Sequence, residues 1–311
     1  AWAVIACDQH TSDLRYWDEL EALVGKKPST LRLTLPEIYL SGNCSEKIAA
    51  IGETMRRYQA EGIFRKLPQG FILTERSTPY VSMRKGIILA IDLEAYSYER
   101  KSDAMIRASE QTILERIPPR IKIREGAPLE FPHVMLLYDD PDDIVMRTVA
   151  CDKLPVLYDF DLNMGGGHIC GKFISDHQKV VKVFDSLIRN GLLFMVGDGN
   201  HSLATAKAIW ERKKGGLSDA ERLHHPARYA LCEAVNLHDP GIYFEAIHRV
   251  VKGVDAEKFL RGCKPFGTGK GALHSGGKRT DYGVASDVPA AVAGVDAYIS
   301  EFIAQYGGTV D

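Results

Sequence analysis

The sequence predicts an α/β fold with a mixed sheet, of the α+β kind in which hairpins and βα units share one sheet. Short apolar runs bounded by turn residues alternate with stretches in which apolar residues recur every three or four positions. The neighbouring runs 70–74 and 80–93 are typical of an antiparallel pair. The five-residue apolar run 192–196 precedes a glycine-rich turn and a helical pattern, which indicates a βα unit.

In the first half of the chain, strands and helices alternate. An opening strand at 2–7 is followed by a helix at about 13–24, and Gly25 is typical of a helix C-terminus. The elements then expected, in order, are a short strand at 31–35, a helix at 46–59, the strand pair, a helical stretch at 103–120 that Pro118 and Pro119 interrupt, and a strand at 134–138.

The second half repeats the alternation and ends in a helix. Its expected elements are a strand at 157–162, a helix at 176–190, the βα unit, strands at 227–237 and 243–251, a helix at 255–261, a mobile loop rich in Gly, Lys and Ser at 266–287, and a helix at 290–306. A chain of 311 residues fits one compact unit, or two lobes at about 1–150 and 151–311. Because residue 1 is not Met and lies in a strand-like run, we expect the N-terminus to be truncated.

Composition excludes several classes of protein. The net charge is −2 and like charges are not grouped, so a nucleic-acid partner is not expected. No run approaches the roughly 20 apolar residues of a membrane span. Six cysteines show neither CxxC nor zinc spacing, which favours reduced thiols in a cytoplasmic protein.

The polar turn between residues 197 and 202 is the main candidate site. Asn200 or Ser202 is expected as the N-cap of the helix that follows. A helix that begins there presents backbone N–H groups to an anion, and glycines let a ligand approach the backbone. A capped βα turn without a ligand is the alternative, because Gly, Asp, Asn and Ser are ordinary turn formers.

The turn matches no common phosphate motif. A GxxxxGK[ST] loop is absent, and Gly197 and Gly199 fit only half of the dinucleotide fingerprint. Asp198 would repel a bare phosphate unless Mg²⁺ lies between them, or unless its carboxylate only orients His201 or a backbone N–H. Asp198 is therefore the predicted metal ligand, and His201, at the positive end of the helix dipole, is a predicted catalytic residue.

Three further segments carry polar side chains at strand ends. Asp8 follows the first strand, where it would accept a proton from a hydroxyl or cap the next helix. The loop at 165–168 would cradle phosphates, close over a substrate or form a flexible turn. Residues 139–143 form an acidic segment without EF-hand spacing, which we interpret as a solvated turn. The candidate binding residues of the loop are Gly166, Gly167 and His168.

The segment GDGNHSLATAK resembles the DGHHR-x-x-A signature of a bacterial and archaeal family of uncharacterised proteins that contains free L-serine kinases (SerK-like). Further similar segments are AVIACDQHTSD, RKGIILAIDLEAY, IRASEQTILERIPPRIKIREGAPLE, YDFDLNMGGGHICG, HPARYALCEAVNLHDP and FEAIHRV. They are similar to the clostridial-type branch, and the resemblance implies a C-terminus truncated at Asp311. The resemblance implies a ParB/sulfiredoxin-like core with additional strands and helices, and nucleotide phosphates near the signature turn.

Carried over position by position, the signature DGHH falls on residues 198–201, and Ser202 stands where the family has arginine. Serine cannot make the bidentate phosphate contact of arginine. The nearest equivalent of the carboxylate base after the first strand is Asp8. The residues that would bind the cofactor are Asp198, Gly199, Asn200, His201 and Ser202, with Gly166, Gly167 and His168.

The resemblance implies a nucleotide-dependent phosphotransferase that uses ATP or ADP with Mg²⁺ and acts on a small hydroxylated metabolite such as free L-serine. The alternative is a nucleotide-binding switch or a non-catalytic binding protein of the ParB-like superfamily. The expected partners are a nucleotide and a small-molecule substrate. The sequence leaves open whether the chain forms a homodimer.

Overall fold

The computed structural model describes residues 2, 10, 13–39, 44–99, 101–110, 117–131, 134–150, 153–243 and 248–310. The chain divides into two units, residues 1–242 and 243–311. Asp8 and all of the predicted first strand except Trp2 lie outside the described residues.

The first unit is built on a nine-stranded mixed sheet. Across the sheet the strands follow the order β3-β4-β8-β5-β9-β2-β1-β7-β6. The bounds are β1 Phe71–Ser77, β2 Arg84–Asp92, β3 Tyr96–Ser97, β4 Ile106–Ala108, β5 Val134–Tyr138, β6 Val156–Asp161, β7 His168–Ile174, β8 Phe194–Asp198 and β9 Tyr229–Asn236. β3–β4, β4–β8 and β5–β9 are parallel and the other pairs are antiparallel. The predicted mixed sheet is confirmed.

Seven helices accompany this sheet within the described residues. They are α1 Leu14–Val24, α2 Ser45–Ala60, α3 Ile117–Arg124, α4 Ile144–Ala150, α5 His177–Ser186, α6 Asn200–Lys214 and α7 Asp219–His224. Leu136 of β5 and Val196 of β8 are fully buried with Leu203 and Trp210 of α6 in the main core. This packing fixes the start of α6 against the centre of the sheet.

A boundary near residue 150 would cut through the sheet. β5 precedes that position and β8 follows it, yet the two strands are hydrogen-bonded neighbours. The first unit instead continues to residue 242.

Two predicted elements of the first half are wrong. The expected strand at 31–35 is a 3₁₀ turn, Thr30–Arg32, in which the Ser29 side chain accepts the N–H of Leu31. In the stretch expected to be helical from residue 103, Ile106–Ala108 is a strand. The described helix α3, Ile117–Arg124, contains Pro118 and Pro119, which are tolerated in a first turn because the N–H groups there need no helical partner. Residues 111–116 of the expected helix lie outside the described residues.

The second unit has the order β-α-β-β-α-β. Its elements are β10 Val251–Lys252, α8 Ala256–Gly262, β11 Gly269–Ser275, β12 Lys278–Val284, α9 Val288–Tyr306 and β13 Thr309–Val310. The predicted mobile loop at 266–287 is therefore wrong, since β11 and β12 form a hairpin. Gly276 and Gly277 at its tip have φ values of 56° and 75°, as a two-residue type I′ turn requires.

Of the helices within the described ranges, none combines the length and the apolar character needed to cross a bilayer.

Candidate functional site

The βα turn predicted as the main site connects β8 to α6. β8 ends at Asp198, Gly199 adopts a left-handed conformation with φ 87°, and α6 begins at Asn200. The N-cap is therefore Gly199, and the expectation of Asn200 or Ser202 is wrong. Because glycine has no side chain, the N-cap satisfies none of the first-turn N–H groups, and no acidic residue lies in that turn.

The glycines of this turn are required by the protein itself. A Cβ built on Gly199 would lie 3.1 Å from Cγ2 of Val134, and one on Gly197 would lie 2.9 Å from Cγ of Leu137. Both contacts are with β5. The close approach predicted for a ligand is thus made by a neighbouring strand, and the positive φ of Gly199 independently favours glycine.

Asp198 is exposed, and its Oδ1 accepts the N–H of Gly199 at 2.8 Å. One of the two roles considered for this carboxylate, orienting a backbone N–H, is therefore observed. Within the described ranges no three His, Cys, Asp or Glu residues are placed to hold a metal ion. Magnesium is commonly held by one or two carboxylates with substrate phosphates and water, so Asp198 as its ligand stays a prediction.

Asn200 joins the start of α6 to the end of β4. Its side chain is 5% exposed, and Nδ2 donates to Ser109 Oγ at 3.2 Å and to Glu110 Oε1 at 3.4 Å. The amide oxygen Oδ1 is buried, and in the described part of the chain it has no hydrogen-bond partner. Such an oxygen is costly to leave unpaired, so Asn200 presents an unsatisfied acceptor at this junction.

The structure adds Ser109 and Glu110, both exposed, to the candidate site. They directly follow β4, a parallel neighbour of β8, and the carboxyl ends of parallel neighbours meet at one sheet edge. Sequence analysis missed them because β4 has only three residues and lay inside a predicted helix. The polar pair after Ile106–Ala108 was the available signal.

His201 and Ser202 are half-buried in the first turn of α6. The carbonyl oxygen of His201 accepts the Thr205 hydroxyl at 2.7 Å. The structure thus brings residues 198–202 together with Ser109 and Glu110. Asp8, the other predicted catalytic residue, lies outside the described residues.

The second predicted phosphate loop lies elsewhere on the sheet. Gly166 and Gly167 precede β7, and four strands lie between β7 and β8. At about 4.8 Å per spacing, the separation is on the order of 24 Å. β7 and β8 run in the same direction, so the start of β7 and the end of β8 lie at opposite ends of the strands. The structure does not bring residues 166–168 to the site at 198–202.

The loop at 165–168 packs on β1. Gly167 has φ 89°, and a Cβ built on it would lie 1.9 Å from the carbonyl oxygen of Ser77. The Arg76 guanidinium donates to the carbonyl oxygen of Gly166 at 3.1 Å. The positive φ and the contact with Ser77 explain Gly167 without a ligand.

His168 lies between two carboxylates. Its Nδ1 is 2.7 Å from Asp161 Oδ1 and its Nε2 is 2.5 Å from Asp159 Oδ1. Ionised carboxylates only accept hydrogen bonds, so both contacts are satisfied together when the imidazole carries two N–H groups. The bonds to Asp161 and then Asp159 raise the pKa of His168 above its ordinary value of 6.5.

We expect a His168 titration in the folded protein above pH 6.5, observed in the histidine region of a proton NMR spectrum. Because the folded pKa is raised, the stabilising contribution is complete below the unfolded pKa and disappears as the pH rises through the folded value. Asp161→Asn should lower the pKa more than Asp159→Asn. An unchanged pKa in both variants would show that the two contacts are not populated.

The acidic segment at 139–143 is only partly the solvated turn expected. Asp139 is exposed and pairs with His238 at 2.7 Å. Asp140 is 1% exposed, its Oδ2 accepts the N–H of Val145 at 2.9 Å, and Nδ2 of Asn236 donates to its backbone carbonyl oxygen at 2.8 Å. Asp140 therefore links the start of α4 to the end of β9.

An open cleft of about 400 Å³ lies at the other end of α6. It is lined by Glu94, Lys214, Asp219, Arg222, Leu223 and Arg228. Lys214 pairs with Glu94, and Arg228 binds Asp92 through two nitrogens. A helix of 15 residues is on the order of 22 Å long, so this cleft is separate from Asn200.

A family model described as "Protein of unknown function (DUF1015)" matches residues 1–290. No curated protein and no solved structure matches the chain. The matched region includes the turn at 198–202 and the whole first unit. The SerK-like assignment and the ParB/sulfiredoxin-like core stay predictions.

Proposed function

This chain belongs to the DUF1015 family of proteins of unknown function, and on that premise we propose that it is a nucleotide-dependent phosphotransferase. The acceptor is a small hydroxylated metabolite, of the free L-serine type. The proposal depends mainly on one observation, that α6 begins at the carboxyl end of β8 with a glycine as its N-cap, so the N-cap supplies no side-chain acceptor. First-turn N–H groups and the positive end of a helix dipole favour a phosphate there.

Other helices show what a satisfied N-terminus looks like in this chain. Asp176, Asp255 and Asp287 each accept a first-turn N–H, at the starts of α5, α8 and α9. Each of these carboxylates occupies the place that an anion would take. At α6 the equivalent position is Gly199, so an external anion has no internal competitor from the N-cap side chain.

The roles follow from what phosphoryl transfer requires. Backbone N–H groups of the first turn hold the phosphate, beginning at Asn200 because the N–H of Gly199 is used by Asp198. Asp198 holds Mg²⁺ together with phosphate oxygens, and His201 stabilises the charge that develops on the transferring group. Because Ser202 stands in place of the family's arginine, phosphate binding depends more on the first-turn N–H groups of α6 and on Mg²⁺. The sequence nominates Asp8 as the proton acceptor.

A nucleotide-binding switch is the second candidate. It is favoured by Ser202, which cannot make the bidentate phosphate contact that an arginine at this position would make. A switch predicts nucleotide affinity and nucleotide-dependent dimerisation without transfer to a metabolite.

The direct test combines binding with product formation. The protein is titrated calorimetrically with ATP, ADP, CTP and GTP in the presence of Mg²⁺. It is then incubated with ATP or ADP and L-serine, and O-phosphoserine is sought by mass spectrometry. Product with either nucleotide supports a kinase of the serine type. Binding and dimerisation without product favour the switch, and absence of binding removes both proposals.

A matched pair of variants locates the nucleotide. We expect Ser202→Asp to weaken nucleotide binding at least about tenfold, because a carboxylate in the first turn of α6 competes with phosphate for the same N–H groups. Ser300→Asp makes the same charge change at an exposed position of α9 and should leave the affinity unchanged. Equal affinities in both variants would place the nucleotide away from α6.

A further inference from the structure

We infer that Glu110 is the general base of the transfer reaction and that Asn200 is the residue that positions it. The inference rests on the proposed phosphotransferase function and assigns the proton acceptor within the described part of the site. Sequence reasoning had given that role to Asp8.

The position of Glu110 follows from the sheet register. Ala108 of β4 pairs with Val196 of β8, and the two strands are parallel. Glu110 follows the end of β4 by two residues, and Asp198 is the last residue of β8, so both carboxylates lie at the edge of the sheet where these parallel strands end. Two exposed carboxylates thus flank the start of α6, where the proposed phosphate binds.

The two carboxylates have different surroundings. Asp198 accepts the N–H of Gly199 through Oδ1 and is tied to the turn that holds the phosphate. Glu110 has the longer side chain and contacts Asn200 Nδ2 through Oε1. Asp198 is therefore placed for the metal and phosphate oxygens, and Glu110 is placed for the substrate hydroxyl.

Asn200 supplies an independent indication that a ligand enters this junction. The residue is 95% buried, yet no donor among the described residues reaches its Oδ1, while its Nδ2 donates to Ser109 Oγ and Glu110 Oε1. A hydroxyl or ammonium group of a substrate is the kind of donor that this oxygen lacks. The same amide therefore holds the base through its nitrogen and offers its oxygen to the acceptor substrate.

The chemical step balances without a further reactant. Glu110 takes the proton of the substrate hydroxyl as the hydroxyl oxygen forms a bond to the terminal phosphorus of the nucleotide. The bond from that phosphorus to the bridging oxygen breaks, and the shortened nucleotide leaves with the electron pair. The proton on Glu110 then passes to solvent. A positioned base of this kind typically contributes 10²- to 10⁴-fold to a rate.

The test uses Glu110→Gln, with Glu99→Gln as its charge-matched control on an exposed residue of the same unit. MgATP affinity is measured by calorimetry, and phosphoester formation from L-serine, with ATP or ADP as donor, is followed by mass spectrometry. We expect Glu110→Gln to lower kcat at least about 100-fold, with the dissociation constant of MgATP within about threefold of the unmodified protein. Glu99→Gln should change neither quantity.

The pH profile separates the base from the positioning residue. Glu110→Gln should remove the acidic limb of the kcat/KM profile, whereas Asn200→Ala should lower kcat about tenfold or more and keep that limb. Glu110→Asp should recover part of the rate. Glu110→Gln turnover above about one tenth of the original, or an unchanged acidic limb, would overturn the inference and leave the proposed function standing. An unmodified protein that neither binds nucleotide nor forms phosphoester overturns both.

Discussion

Replacement of His201 by alanine is expected to lower phosphoryl transfer about 10²- to 10³-fold, which is the size of effect that follows loss of a group stabilising transition-state charge. His201 lies in the first turn of α6, where the helix dipole already favours negative charge. Its backbone carbonyl, which accepts the Thr205 hydroxyl, is kept in the variant. The free energy of unfolding should therefore change by less than about 1 kcal/mol.

Steady-state kinetics and urea unfolding measure the two effects separately. His224→Ala is the matched control, because His224 is exposed on α7 at the far end of α6. It should alter neither turnover nor stability. Full turnover in His201→Ala would show that the side chain has no part in catalysis. If His201→Ala unfolds, His201→Gln keeps a polar side chain at the site and tests the same role.

The elements predicted well from sequence are those with a strong local pattern. The helix at 13–24 is observed as Leu14–Val24, the strand at 134–138 as Val134–Tyr138, and the helix at 290–306 as Val288–Tyr306. Their apolar periodicity and end signals act within a few residues of chain, so the sequence around them is sufficient. The contacts of the turn at 198–202 with β5 could not be predicted in this way, because they depend on which strand lies beside the turn in the folded sheet.

The elements that failed depend on tertiary context. β4 has three residues, too few to show an alternating pattern, and its place beside β8 comes from a parallel pairing about 90 residues apart along the chain. That pairing is what brings Glu110 to Asn200. The hairpin of β11 and β12 was hidden because its glycines and lysines suit a loop equally well. Glycines in a sequence therefore indicate a turn or a close backbone contact, but they do not indicate which element makes the contact.

The separation of residues 166–168 from residues 198–202 shows a further limit. Each segment has glycines next to a histidine, which locally suits phosphate binding. Strand order and direction decide whether two such segments meet, and both are set by long-range pairing. In this sheet four strands separate β7 from β8.

The largest expected loss of stability follows replacement of Trp210 by alanine. Trp210 is fully buried on α6, and its indole N–H donates to Glu94 Oε1 at 2.6 Å. Removal of a buried tryptophan side chain costs about 3–5 kcal/mol through lost burial and the cavity left behind. In a unit of this size, about 2–4 °C per kcal/mol gives a fall in Tm of roughly 6–20 °C. Calorimetric or circular-dichroism melting measures it.

Two controls separate packing from hydrogen bonding. Trp210→Phe keeps most of the buried ring and loses only the bond to Glu94, which still pairs with Lys214 at 3.1 Å, so it should cost about 1–2 kcal/mol. Met195→Ala removes a side chain that is 38% exposed on β8 and should cost less than either Trp210 variant. A Trp210→Ala protein as stable as Met195→Ala would contradict the packing of α6 on the sheet.

Because His201 and Trp210 are nine residues apart on α6, about 13 Å along its axis, the unfolding free-energy changes of their alanine variants should add. Additivity would show that the first turn of α6 and its buried tryptophan contribute independently to stability.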